Sequence, residues 1–161
     1  MKLYALLRTW LTRGSTDALT LPSVCVKDTG TAKGRGVFAL RAFDSGEVVE
    51  LCPVIVLGTP YLALPEDLKK LVFHWELRDG LPEIQATEAL ALGYGSLYNH
   101  NDPANLRFET DKPALLIRFI TVRHINVGEE LTVNYNSDGG AATADSNWWF
   151  AEKKIKPIVG S

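Results

Sequence analysis

The chain has 161 residues, 46% of them hydrophobic and 22% charged, with 17 Lys and Arg against 19 Asp and Glu for a formal net charge of −2. That length suits one domain with its own core, and the near-neutral charge removes the simplest electrostatic case for nucleic-acid binding, so no direct nucleic-acid partner is expected. Two cysteines, Cys25 and Cys52, lie far apart without a Cys-x-x-Cys or a histidine at ligand spacing, which excludes a recognisable zinc site and a disulfide framework; no metal is expected. Both read as small buried hydrophobes of a reducing compartment. No apolar run approaches the ~20 residues of a membrane span. Arg8 interrupts what would be the core of a secretory leader, and the expected location is the cytoplasm.

Residues 1–20 form an N-terminal amphipathic extension. Leu3, Leu6, Leu7, Trp10 and Leu11 fall on one helical stripe, Lys2, Arg8 and Arg13 lie elsewhere, and Gly14-Ser15 ends the pattern. Such a helix can dock on its own domain, pair with a second copy as a homodimer, or touch an anionic surface, and the sequence leaves these open.

From residue 21 the texture is that of short β segments. Residues 24–26 and 37–40 read as strands around the loop DTGTAKGRG, and a turn at Asp44-Ser45-Gly46 leads into a strand over 47–57, where Pro53 predicts an edge or a bulge. GRGVFA matches the G-x-G-x-x-A dinucleotide fingerprint, but Val37 to Leu40 read as strand where the fingerprint needs a helix, so a nucleotide fold of that kind is rejected. What survives is a backbone at Gly34 and Gly36 able to approach a ligand closely, with a plain hairpin turn as the alternative.

Residues 59–92 read as a helical insertion: Pro65-Glu66-Asp67 is a helix start, and Leu64, Leu68, Leu71, Val72 and Trp75 keep helical spacing. His74 reads as a packing histidine at the helix end. Strands follow over 106–109, 114–125 and 131–135, with turns at Asp111-Lys112-Pro113 and Val127 to Glu130. His124 reads as a structural strand residue. Alternation puts Leu131, Val133 and Tyr135 on one buried face, so the Tyr135 hydroxyl needs a partner. The Trp148-Trp149-Phe150 cluster suggests a terminal element that folds back to close something.

The densest chemistry lies in GYGSLYNHNDPAN, from Gly93 to Asn105. Asn99 and His100 supply an amide and an imidazole side by side, and Asn105 adds a second amide after the turn through Asp102 and Pro103. Such groups bury comfortably only when each donor and acceptor is satisfied, so they hold either a crossing of chain segments or a ligand.

Taken in order, the Gly-x-Gly loop, the Asn-His stretch and the GEELTVNY strand resemble the SET domain of protein-lysine methyltransferases, over residues 21–136. The resemblance implies a mainly β (β-clip) fold of small sheets, with a C-terminal pseudoknot bringing Asn99 and His100 against Tyr135, a helical insertion and an N-terminal helix. It implies S-adenosylmethionine as cofactor, received at Gly34, Arg35 and Gly36, with Asn99 and His100 on its amino group and adenine edge and Trp148 stacked on the adenine. Tyr135 is then the catalytic tyrosine, while Tyr98, Tyr94, Trp149 and Phe150 line a channel for a lysine presented by a protein substrate. Residues 137–161 are a C-terminal closing segment. The sequence departs from the family pattern at Asn101, where serine is usual, at Pro103, one position early, and at Asn134, where aspartate is common. It lacks flanking zinc-binding cysteines and so resembles the minimal bacterial or viral type. An inactive SET-like binding module and an unrelated β-rich ligand-binding protein are the rival readings, separated by whether S-adenosylmethionine binds and whether methyl groups move.

Overall fold

A computed structural model of the protein describes residues 21–75 and 87–140. The amphipathic extension over 1–20 and the Trp148, Trp149 and Phe150 cluster lie outside the described residues.

The strands are β1 (Val24–Asp28), β2 (Arg35–Ala39), β3 (Val48–Val56), β4 (Val72–Trp75), β5 (Thr87–Ala91), β6 (Asn99–His100), β7 (Leu106–Asp111), β8 (Leu116–Thr121) and β9 (Glu130–Val133). They form two sheets, ordered β1-β2-β9-β6 and β4-β5-β3-β8-β7. Apolar residues of both pack into one core that includes Val37, Phe43, Cys52, Trp75, Ile117, Phe119 and Leu131. Burial of this area is the main stabilising term. Cys52 is fully buried as expected, whereas Cys25 is only half-buried.

The β1–β2 hairpin pairs Val24 with Ala39 and Asp28 with Arg35, so Arg35 and Gly36 belong to the strand rather than to the loop. Side chains organise the loop. Thr29 Oγ1 donates to the Gly34 carbonyl at 2.7 Å, Asp28 accepts from the Gly30 N–H, and Gly34 takes φ +75°, a left-handed conformation that glycine adopts without strain.

Two turns share one construction. In Arg41-Ala42-Phe43-Asp44-Ser45-Gly46-Glu47 the arginine donates to the Ala42 carbonyl and to Glu47, and Glu47 accepts from the Asp44 N–H. In Arg123-His124-Ile125-Asn126-Val127-Gly128-Glu129 the same bonds run from Arg123 to the His124 carbonyl and Glu129, and from Asn126 N–H to Glu129. Phe43 and Ile125 pair as an antiparallel bridge between them. The second turn ends β8 at Thr121, short of the strand expected over 114–125, and leaves His124 exposed between strands, its Nδ1 3.5 Å from Asp44 Oδ1.

Pro53 does not mark an edge. β3 is the central strand of its sheet, and the register shift falls between Val48 and Glu50. The proline is tolerated because it stands at the end of the β8 pairing, opposite Leu116, while its carbonyl accepts from Leu92 N–H at 2.8 Å.

The helical spacing over 64–75 also fails. A 3-10 turn at Tyr61–Ala63 and one α-turn at Glu66–Lys69 are followed by β4, which pairs Val72 with Leu90 and Trp75 with Thr87, so His74 is a strand residue. Four residues are far below the ~12 that sustain an isolated helix, and valine and aromatics fit the pleated sheet better.

Strand β9 lies between β2, antiparallel through Val37↔Leu131, and β6, parallel through Asn99↔Thr132 and His100↔Val133. Its alternation does not separate inside from outside, because Thr132 and Asn134 are as buried as Leu131 and Val133. The strand is held by an amide from outside the sheet. Asn105 Nδ2 donates to the Glu130 carbonyl at 2.7 Å, and Asn105 Oδ1 accepts from Thr132 N–H at 2.8 Å, so one side chain substitutes for a strand partner. Truncation would leave one buried and one half-buried backbone group unpaired, at ~1–3 kcal/mol for a fully buried one. We therefore expect Asn105→Ala to lose about 2–4 kcal/mol of stability in a denaturant titration; a loss under about 0.5 kcal/mol would show that water replaces the amide.

Candidate active site

Strands β2, β6 and β9 bring the Gly-x-Gly segment, the Asn-His pair and the end of the last strand together. Asn99 Nδ2 donates to the Arg35 carbonyl at 3.1 Å and to Glu130 Oε1 at 2.8 Å. Both amide hydrogens are thereby used, which leaves Oδ1, an acceptor, to meet a cationic group. Gly36 faces the same cluster: a Cβ there would stand 2.9 Å from Asn99 Nδ2 and Thr29 Cγ2 and overlap the Glu130 carboxylate. Position 36 thus has no room for a side chain, because Glu130, Asn99 and Thr29 already fill the space in front of it.

His100 Nδ1 accepts the Tyr135 N–H at 3.1 Å, and the two rings lie 5.4 Å apart. Burial, helped by Lys33 and opposed by Asp102, lowers the imidazole below its ordinary value of 6.5 and keeps it neutral. The Tyr135 hydroxyl donates to the Tyr98 carbonyl at 2.5 Å. Burial, with the negative Glu130 nearby, pushes the phenol up and keeps it protonated. Beside it, Asn134 is fully buried, and its Nδ2 has no partner among the described residues.

On its other side Tyr135 borders a cleft of about 740 Å³, whose walls include Val72, Phe73 and Trp75 from β4, Phe108 from β7, and Tyr98. Phe73 and Phe108, both on its wall, touch edge to face at 5.7 Å. Of the residues proposed from the sequence, Gly34, Arg35, Gly36, Asn99 and His100 gather on the β2–β6 side, and Tyr98 and Tyr135 border the cleft. Tyr94 does not: it precedes the 3-10 turn Gly95–Leu97, packs against the core and is absent from the cleft wall. Tyr98 is buried with its hydroxyl directed away to Glu50, so its carbonyl is the atom that meets Tyr135. Trp148, Trp149 and Phe150 lie outside the described residues.

Two participants were missed. From the sequence Glu130 is only the end of the turn before the last strand, and the pairing of β9 with β2 and β6 sets its carboxylate against Asn99. Glu50 left a usable signal, a lone carboxylate in the apolar run VVELCPVIV, where alternation alone places a charge in the core.

An S-adenosylmethionine-type ligand suits this donor set. A carbonyl acceptor at Asn99 matches an ammonium group, and a neutral imidazole can serve a base edge.

Comparison with known proteins bears on the fold and the family. A curated relative from Schizosaccharomyces pombe, a histone-lysine N-methyltransferase specific for H3 lysine-37, is 29% identical over 113 residues, covering 68% of this chain and 71% of its own. A solved structure of a candidate histone methyltransferase from Plasmodium falciparum superposes with a TM-score of 0.56 at 21% identity, covering 80% of this chain and 99% of that one. A structure of ctPRC2 in an autoinhibited conformation bound to S-adenosylmethionine gives 0.51 at 20% identity, covering 72% of this chain but 15% of that one. The SET domain family model matches residues 34–136, more than half of the sequence, and the chain belongs to the SET domain family.

Proposed function

We propose that this protein transfers a methyl group from S-adenosylmethionine to the side-chain amine of a lysine in a protein substrate. The observation that carries this reading is the position of Tyr135, which joins the Asn99–His100 pair on one side and an aromatic cleft on the other. The lysine-methyltransferase relative and the S-adenosylmethionine-bound structural neighbour support it. When bound, the cofactor would supply a methyl on a sulfonium to the neutral lysine amine, the sulfur keeping the electron pair of the carbon–sulfur bond.

The chain supplies positioning and a dry, polarised path. Gly34, Arg35 and Gly36 offer backbone to the cofactor, Asn99 Oδ1 its ammonium acceptor, and His100 its neutral ring. Tyr98 O and Tyr135 Oη converge as oxygens able to hold methyl hydrogens by weak C–H···O contacts. A lysine, with a reference pKa near ~10.4, must arrive neutral, and Phe73, Trp75 and Phe108 on the cleft wall favour that form by desolvation, against Glu109 on the same wall.

Tyr135→Phe keeps the ring and removes one oxygen, and losing one preorganised polar group in such a site costs ~10²-fold in rate. Single-turnover methylation of a protein lysate, read by mass spectrometry, should show that loss while calorimetric S-adenosylmethionine affinity moves far less. A variant at the wild-type rate overturns the role of Tyr135, and a wild type that binds without transferring methyl groups is an inactive module.

The lowered His100 fixes a sign for pH. The folded state prefers the neutral ring, so its contribution to stability is present above 6.5, the ordinary value, and is lost as pH falls toward the folded value. Protonated Nδ1 would face the Tyr135 N–H donor to donor. Stability should decline below pH 6.5, and in His100→Gln that component should vanish; identical pH curves for the two proteins would refute it.

A further inference from the structure

Glu50 sits in β3 with 8% of its surface exposed. Its Oε1 accepts the Tyr94 N–H at 2.9 Å, its Oε2 accepts the Tyr98 hydroxyl at 3.1 Å, and the Cys52 thiol also reaches it. No cation among the described residues pairs with it. The segment that carries these donors is pressed against the group: a Cβ on Gly93 would overlap the carboxylate, and one on Gly95 would stand 2.8 Å from Cys52 Sγ and Ala91 Cβ. A buried carboxylate held by neutral donors alone is a poor stabiliser, and an apolar residue of similar volume would fill the space at lower cost. Burial accordingly drives the Glu50 carboxyl above its ordinary value, against the lowering effect of its donors.

What the carboxylate does achieve is geometric. It grips the Tyr98 ring by its hydroxyl, while Phe119 packs against that ring at 4.7 Å. The carbonyl of the same residue receives the Tyr135 hydroxyl, and the next two residues are Asn99 and His100. Tyr98 is therefore held at its hydroxyl by β3 and meets Tyr135 through its main chain.

We propose that Glu50 is a positioning residue for methyl transfer, fixing Tyr98 and, through the Tyr98 carbonyl, the orientation of the Tyr135 hydroxyl; this rests on the reading of Tyr135 given above. Glu50→Gln keeps the shape and the acceptor for Tyr94 but sets an amide against the Tyr98 hydroxyl, and Tyr98→Phe removes that hydroxyl while leaving the carbonyl. Small misplacements of a reacting geometry are costly in rate. Each variant should lower kcat about 10-fold at 25 °C, with KM for protein substrate and calorimetric S-adenosylmethionine affinity within about twofold of wild type. Because both changes cut one linkage, the double variant should lose no more than either single. A folded Glu50→Gln or Tyr98→Phe with wild-type kcat, additive losses in the double variant, or affinity falling in parallel with kcat each overturns the proposal. Should Glu50→Gln fail to fold, Tyr98→Phe decides alone, since Glu50 keeps Tyr94 and Cys52. Wild-type protein that does not bind S-adenosylmethionine, or that is indifferent to Tyr135→Phe, refutes the underlying reading and the proposal with it, whereas a Tyr135-dependent enzyme indifferent to Glu50→Gln refutes only the latter.

Discussion

The structure depends on the amide of Asn105. A strand buried on both faces needs hydrogen-bond partners on both edges, and β9 finds β2 on one edge and only the two residues of β6 on the other. Asn105 extends that second edge by presenting an acceptor to Thr132 N–H and a donor to the Glu130 carbonyl. With β9 so held, Glu130 meets Asn99, Val133 meets His100, and the chain delivers Tyr135 to the imidazole. The pairs that define the candidate site are thus consequences of one threaded strand, and the polar residues around it serve architecture and chemistry together.

How much of this was legible depended on the kind of signal. Short strands with polar turns could be read in order, because period-two patterning and turn residues such as Asp44-Ser45-Gly46 are local. The site residues could be named only through the family resemblance, since nothing in the spacing of Asn99 and Tyr135 reports that they touch. The region over 64–75 misled for the opposite reason. Its spacing is locally helical, but Val72 to Trp75 gain more from pairing with β5 than from a helix too short to persist. Pro53 misled by a general rule that holds for the N–H and is silent about strand ends.

One regularity lies open in the amino-acid order itself. Arg-x-apolar-Asx-x-Gly-Glu occurs twice, at Arg41 to Glu47 and Arg123 to Glu129, and each copy folds into the same hydrogen-bonded turn. The ion pairs are exposed and contribute little by themselves. Their value lies in aiming Phe43 and Ile125 at each other, which ties the β2–β3 connection to the β8–β9 connection. Internal self-similarity of this kind marks the two segments as equivalent turns from residue types alone.

The placement of β9 between β2 and β6 also sets an order of events in the cell. Every pairing in the five-stranded sheet uses residues up to Thr121, so that sheet can assemble while the chain is still emerging. The four-stranded sheet cannot. Its middle member is among the last described segments to be synthesised, and until Tyr135 has cleared the ribosome neither His100 nor the Tyr98 carbonyl has the partner that defines the site. A nascent chain with its five-stranded sheet in place therefore carries no assembled site until the last described strand is threaded.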